Sequence, residues 1–165
     1  AGEELVDQVL PALWARDPHW QLVLVGAKLS RRMMQAAAAD PRVVITGSVP
    51  DVRPFLSAAD VVVVPLRRGG GTRIKILEAF ASCRPVVSTA KGVEGIDAQD
   101  REHLLVAESS SAIVDSILAL ASESELRSRI VSAAFRLVES RYTWEAAATI
   151  VEQAVRVVSS RQAER

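Results

Sequence analysis

At 165 residues the chain has the size of one domain with a single substantial core, and is short for a two-domain enzyme. Twenty basic residues balance twenty acidic ones, which excludes a nucleic-acid or membrane-surface protein built on bulk charge, so any anion site must be local. The single Cys83 rules out an internal disulfide, Ala1 to Glu4 carry no basic-then-apolar leader, and no apolar run approaches the roughly 20 residues that span a bilayer; a cytoplasmic domain is expected, with membrane contact at most peripheral.

In chain order, Glu3 to Ala15 places Leu5, Val9, Leu10 and Leu13 at helical spacing, and Gln21 to Val25 is a short apolar run closed by Gly26. A helix from about Ser30 to Ala39 follows, then the run Val43 to Thr46 closed by Gly47, a short helix near Val52 to Ala58, and the strand Val61 to Pro65. After a glycine loop come the helix Thr72 to Cys83, the strand Pro85 to Ser88, a further loop, and the run His103 to Ala107. Near-continuous Val, Leu and Ile strands between helices predict a parallel sheet covered on both faces, a doubly wound α/β fold whose ligands sit at the carboxyl ends of the strands. Ser111 to Ala121, Glu123 to Glu139 and Trp144 to Val158 then form a helical C-terminal extension, with Ser122 and Glu125 spaced as a capping box and Trp144 expected as a packing anchor. Cys83 reads as a small core residue at a helix end, and the isolated His19 and His103 read as ordinary surface or loop residues.

The chemistry concentrates at Arg68-Gly69-Gly70-Gly71-Thr72-Arg73-Ile74-Lys75-Ile76-Leu77-Glu78-Ala79, where a strand ends in glycines and turns into a helix. Glycines reach φ > 0 and approach a ligand closely, while the helix start offers unpaired N–H groups and a positive dipole end, which suits a phosphate. Ile74, Leu77 and Ala81 mark an apolar stripe, and Glu78 borders it. A carboxylate there can accept from the two vicinal hydroxyls of a ribose, or it can pair with Lys75 at i,i+3 on a solvated face; the glycines can equally be an ordinary turn.

These residues, with Cys83-Arg84-Pro85-Val86-Val87-Ser88 and Glu94-Gly95, resemble the donor-binding C-terminal domain of retaining GT-B glycosyltransferases of the GT4-like group. The likeness runs through most of the chain: Leu10 to Trp14 before Asp17-Pro18, Leu22 to Gly26, Val44 to Gly47 with Val49-Pro50-Asp51-Val52, Ala59-Asp60-Val61 to Pro65, and Tyr142-Thr143-Trp144-Glu145. The resemblance implies that Glu78 binds the ribose of a nucleotide sugar and that Gly69, Gly70, Gly71 and Thr72 present amides to the diphosphate and sugar, with Arg73 and Lys75 adding positive charge. It implies further that Val49, Pro50 and Asp51 meet the base, and that Thr89 to Gly95, with Lys91 and Glu94, forms a mobile loop over the donor.

Three departures from that pattern stand out. Gly70 replaces the family's frequent glutamate eight positions before the ribose-binding one. Cys83 replaces the usual glycine after the helix. The strand that ordinarily precedes the first helix, with its diphosphate-binding loop, is expected to lie outside these residues, as is the acceptor domain, so residues 1–165 read as a single donor-binding domain. The implied function is metal-independent retaining transfer of a hexose from a UDP- or GDP-sugar to a glycan or lipid-linked acceptor of bacterial polysaccharide biosynthesis. No cofactor is expected, the catalytic groups are expected mainly in the acceptor domain, and these residues alone are expected to be inactive. A GT-B nucleotide-sugar epimerase and a noncatalytic nucleotide-binding domain are the alternatives. A dinucleotide-binding dehydrogenase is disfavoured, because the glycines are contiguous and follow a late strand.

Overall fold

The computed structural model describes residues 2–27, 29–69, 73–146, 148 and 152. The first helical segment comprises α1 (Gly2–Glu4), a π-helical stretch Leu5–Val9, and α2 (Leu10–Trp14). The widened turn lies just ahead of Pro11, whose ring has no N–H to donate and crowds the carbonyl one turn back. Leu5, Val9, Leu10 and Leu13 are all buried, as their spacing predicts.

Five short strands follow. β1 (Leu22–Val25) and β2 (Val43–Gly47) pair in parallel, Leu22 opposite Val43, with α3 (Arg31–Ala39) as the crossover. Ser30 caps α3, its hydroxyl accepting the Met33 N–H at 3.4 Å. After α4 (Arg53–Ala58), β3 (Val62–Val64), β4 (Val86–Ser88) and β5 (Leu105–Val106) form a second parallel sheet in that order, with α5 (Ile74–Ala81) crossing from β3 to β4. The helices α7 (Ser110–Ser122) and α8 (Ser124–Arg141) close the described fold. The architecture is the expected parallel α/β one, with its sheet in two parts. Among the described residues the outer edges of β1 and β3 are unpaired, and both line one apolar cleft of about 810 Å³ together with Leu5, Val9 and Leu13.

β4 is buried on both faces. Val86 packs with Ile76, Phe80, Ala134 and Leu137 of α5 and α8, while Val87 packs with Ile113, Ile117 and Leu120 of α7. Complete burial of a side chain such as Phe80 contributes roughly 1.5–3 kcal/mol, so this central strand fixes the helices on either side.

Several expectations are corrected here. The buried stripe of α5 is Ile76, Ala79 and Phe80, while Ile74 is 56% exposed, because the side of the helix that carries Phe80 and Ile76 packs against β4 and α8. Ser122 makes no capping box with Glu125: it is the last residue of α7, its hydroxyl donates to the Leu118 carbonyl at 2.8 Å, and Glu123 starts α8 without a side-chain cap. Trp144 is 89% exposed and anchors nothing there; the aromatic anchor is Tyr142, which packs on the α5–α8 core while its hydroxyl accepts the Asp97 N–H at 2.9 Å. Most of the helix expected from Trp144 to Val158 lies outside the described residues. His103 is buried, with Nδ1 accepting the Gln99 N–H at 3.1 Å.

Cys83 is exposed rather than a core residue, and it holds φ +53°. Its N–H reaches the Phe80 carbonyl at 3.0 Å and the Arg84 N–H reaches Ala79 at 2.9 Å, the paired bonds of a Schellman helix end that favours glycine at this position. Cys83→Gly is therefore expected to stabilise the protein by about 1 kcal/mol, because glycine relieves the left-handed strain. Urea unfolding at unchanged m-value measures this, and a midpoint that stays or falls contradicts it.

Candidate functional site

The carboxyl ends of β3 and β4 carry most of the polar chemistry. Ser88 and Thr89 are fully buried and satisfied by the neighbouring strand: the Ser88 hydroxyl reaches the Val64 carbonyl at 3.1 Å, and the Thr89 hydroxyl donates to the Leu66 carbonyl in a short bond. Thr89 also caps a helix within the stretch read as a loop, α6 (Ala90–Val93), by accepting the Gly92 N–H at 3.0 Å. Only glycine fits at 92, since a Cβ there would lie 2.2 Å from Ser88 Oγ and 2.7 Å from the Val64 carbonyl. The first half of the segment Thr89 to Gly95 is thus a short helix seated on the strand ends.

Arg73 stands at the start of α5 with its side chain 5% exposed. Its Nη2 donates to the Gly69 carbonyl at 3.3 Å and faces Glu94 Oε2 at 3.5 Å, whereas its buried Nε has no partner among the described residues. The same Glu94 oxygen accepts from Lys91 Nζ at 2.5 Å, and chiefly this ammonium holds the Glu94 carboxyl below the usual glutamate range. Gly69 takes φ +113°, the left-handed freedom expected where a chain turns from strand to helix. Gly70, Gly71 and Thr72 lie outside the described residues.

Lys75 and Glu78 are exposed and line the cleft between β1 and β3, with Val52 and Phe55 from the α4 region on its wall. They make no ion pair with each other among the described residues, and Glu78 has no hydrogen-bond partner there, so the solvated-pair alternative for Glu78 is not realised. Val49 and Pro50 lie outside the cleft lining. Asp51 is turned to its own helix start, accepting from the Arg53 N–H and Nε at 2.9 Å each, and Arg53 lowers its pKa. The structure brings Gly69, Arg73, Lys91 and Glu94 together, and sets Lys75 and Glu78 on the cleft wall.

Sequence reasoning missed a latch behind α6. Arg67 Nη2 donates to Glu4 Oε1 at 2.6 Å and Nη1 to Glu108 Oε2 at 3.1 Å, while the other Glu108 oxygen accepts the Ala90 N–H at 2.7 Å. Glu108 thus serves the start of α6 and joins it, through Arg67, to the first helix. No local pattern could reveal partners 63 and 41 residues apart. Among the described residues no group of three or more His, Cys, Asp or Glu is placed to hold a metal ion, and no helix is long and apolar enough to cross a membrane.

The family described as Glycosyl transferases group 1 matches residues 2–123. No curated protein matches the chain. Among solved structures, the C-terminal domain of the glycosyl transferase group 1 family protein LpcC from Francisella tularensis is 25% identical with a TM-score of 0.73, covering 87% of this chain and 80% of its own. Sucrose-phosphate synthase from Thermosynechococcus elongatus is also 25% identical, with a TM-score of 0.74 over 96% of this chain but 42% of its own. HepE from Anabaena shares the fold at 19% identity and a TM-score of 0.73, over 93% of this chain and 44% of its own. The chain therefore spans less than half the length of the latter two.

The latch has a pH signature. Arg67, through its hydrogen bonds, holds the Glu4 carboxyl below its ordinary 4.5, so the folded form binds this proton less readily than the unfolded chain. The resulting stabilisation is present above about pH 4.5 and is lost as pH falls through the depressed folded value. Arg67→Met is expected to cost about 1 kcal/mol at pH 7, allowing for the partial exposure of the pair, with the gap to wild type narrowing as pH falls below 4.5. Urea unfolding at pH 7 and at a series of pH values below 4.5 checks this, and a gap that does not narrow contradicts it.

Proposed function

The chain belongs to the glycosyl transferases group 1 family, and we propose that it is the nucleotide-sugar-binding half of a retaining, GT4-like glycosyltransferase that takes a UDP- or GDP-hexose. The observation that carries this reading is an exposed carboxylate, without a partner among the described residues, on the helix whose start places Arg73 beyond the carboxyl end of β3. Glu78 stands on the cleft wall free to accept ribose hydroxyls, and Arg73 offers a buried Nε–H with no partner among the described residues at the start of the same helix. Ligands of open parallel sheets bind at such strand ends. HepE has been solved with UDP and glucose and with UDP-glucose, which makes the uridine donor the first to test.

In this reading the diphosphate gains charge as the glycosidic bond breaks, and Arg73, Lys75, Lys91 and the N–H groups of the α5 start stabilise it without a metal. Val49, Pro50 and Asp51 meet the base, through backbone groups in the case of Asp51, whose carboxylate is held by Arg53. The glycan or lipid-linked acceptor, of the envelope polysaccharide type, and the facing catalytic groups are assigned to polypeptide outside residues 1–165. The cleft supports a related assignment: two unpaired parallel edges face one apolar space, and a strand from outside these residues would pair with both and join the two sheets.

Titration calorimetry with UDP, GDP, ADP and their sugar derivatives, with and without magnesium, tests the donor site. One nucleoside diphosphate is expected to bind without metal and to lose roughly tenfold or more in affinity in Glu78→Ala, which removes a charged acceptor of ribose hydroxyls. Equal affinity in the variant, or binding that requires magnesium, contradicts the proposal. Residues 1–165 are expected to show no sugar transfer to any acceptor in a product assay, and measurable transfer would overturn the assignment of the catalytic groups to another domain.

A further inference from the structure

Glu94 has a role that the donor-site reading does not itself require. We propose that its carboxylate is a built-in competitor for the donor's diphosphate, holding Arg73 and Lys91 in the unliganded domain and giving way when the diphosphate arrives. The inference rests on the proposal that the start of α5 receives that diphosphate.

The geometry separates a fixed partner from a movable one. Arg73 is fixed: its side chain is 5% exposed, and Nη2 is tied to the Gly69 carbonyl. Glu94 is 57% exposed, lies just beyond α6, and precedes Gly95, which has φ +85° and open space around it. The helix behind it is pinned by the Thr89 cap and the fit of Gly92, so a swing of Glu94 need not unseat α6.

The contact is also incomplete as a salt bridge. One Glu94 oxygen serves both cations, at 2.5 Å from Lys91 Nζ and 3.5 Å from Arg73 Nη2, and the buried Arg73 Nε remains without a partner among the described residues. A guanidinium is best satisfied by an anion that meets two of its N–H groups at once, which a phosphate can do and this carboxylate does not. One negative charge also leaves two cations under-neutralised, whereas a diphosphate matches them. The plainer reading is an i,i+3 pair of Glu94 and Lys91 on a solvated surface with no bearing on ligand.

The two readings differ in the effect of removing the charge. Calorimetric titration of inorganic pyrophosphate and of UDP into wild type, Glu94→Gln and Glu94→Asp, at low and high salt, decides between them, with thermal melts to establish that each variant is folded. Glu94→Gln is expected to bind pyrophosphate about fivefold more tightly, the size of one partly exposed ion pair, and to lose affinity more steeply with salt because the site carries one more net positive charge. Glu94→Asp, which keeps the charge but withdraws it, is expected to fall between the two. Unchanged or weaker pyrophosphate binding by Glu94→Gln, with UDP binding still dependent on Glu78, overturns the competitor role alone. Absence of binding of both probes to wild type and variants overturns it together with the donor-site reading.

Discussion

The burial of β4 on both faces is the constraint on which the rest of the molecule depends. Val86 and Val87 point into opposite cores, so one three-residue strand positions α5 and α8 on one side and α7 on the other. At its end the chain must still satisfy two buried hydroxyls, and it does so against the carbonyls of β3 and its continuation. That requirement fixes where α6 begins. The helix start, the glycine that lets it lie flat, and the carboxylate that follows it are consequences of how β4 terminates.

The polar groups around this strand end divide by how firmly they are held. Ser88, Thr89 and Arg73 are buried and bound to backbone carbonyls. Arg67 is neutralised by two carboxylates from distant parts of the chain, so it braces the scaffold and offers little free charge to a ligand. Lys75, Glu78 and Glu94 are exposed and Lys91 is half-buried. A rigid base carrying a few exposed ionic groups suits recognition of a polyanion, since the cost of ordering the base is met during folding.

Element order was legible in the sequence because apolar runs of four or five residues alternate with helical periodicity, and the glycines at 26, 47 and 69 sit where the chain turns with positive φ. The candidate site was legible in part, because Arg73, Lys75 and Glu78 share one short helix start. The four residues of α6 were not legible: they are helical through a cap on Thr89 and close packing of Gly92, which are tertiary contacts with no local period. The exchange of Trp144 for Tyr142 as anchor has a similar origin. Both are large amphipathic aromatics, but a phenol oxygen can accept the Asp97 N–H and an indole cannot. The division of the sheet was hidden as well, since periodicity identifies strands and leaves their pairing open.

That division bears on local stability. Among the described residues no backbone ladder joins β1 and β2 to β3, β4 and β5, and the two parts meet through side-chain packing of the first helical segment and α7. Cooperative opening follows hydrogen-bonded and packed units, so in residues 1–165 by themselves the two sheets, which share a core but no ladder among the described residues, are expected to differ in opening free energy. The smaller one, with Val23, Val25 and Val44 substantially exposed, is the less protected. Amide exchange in β1 and β2 is then expected to run faster than in β4, with the region that carries Arg73 and Glu94 sharing the protection of the larger sheet.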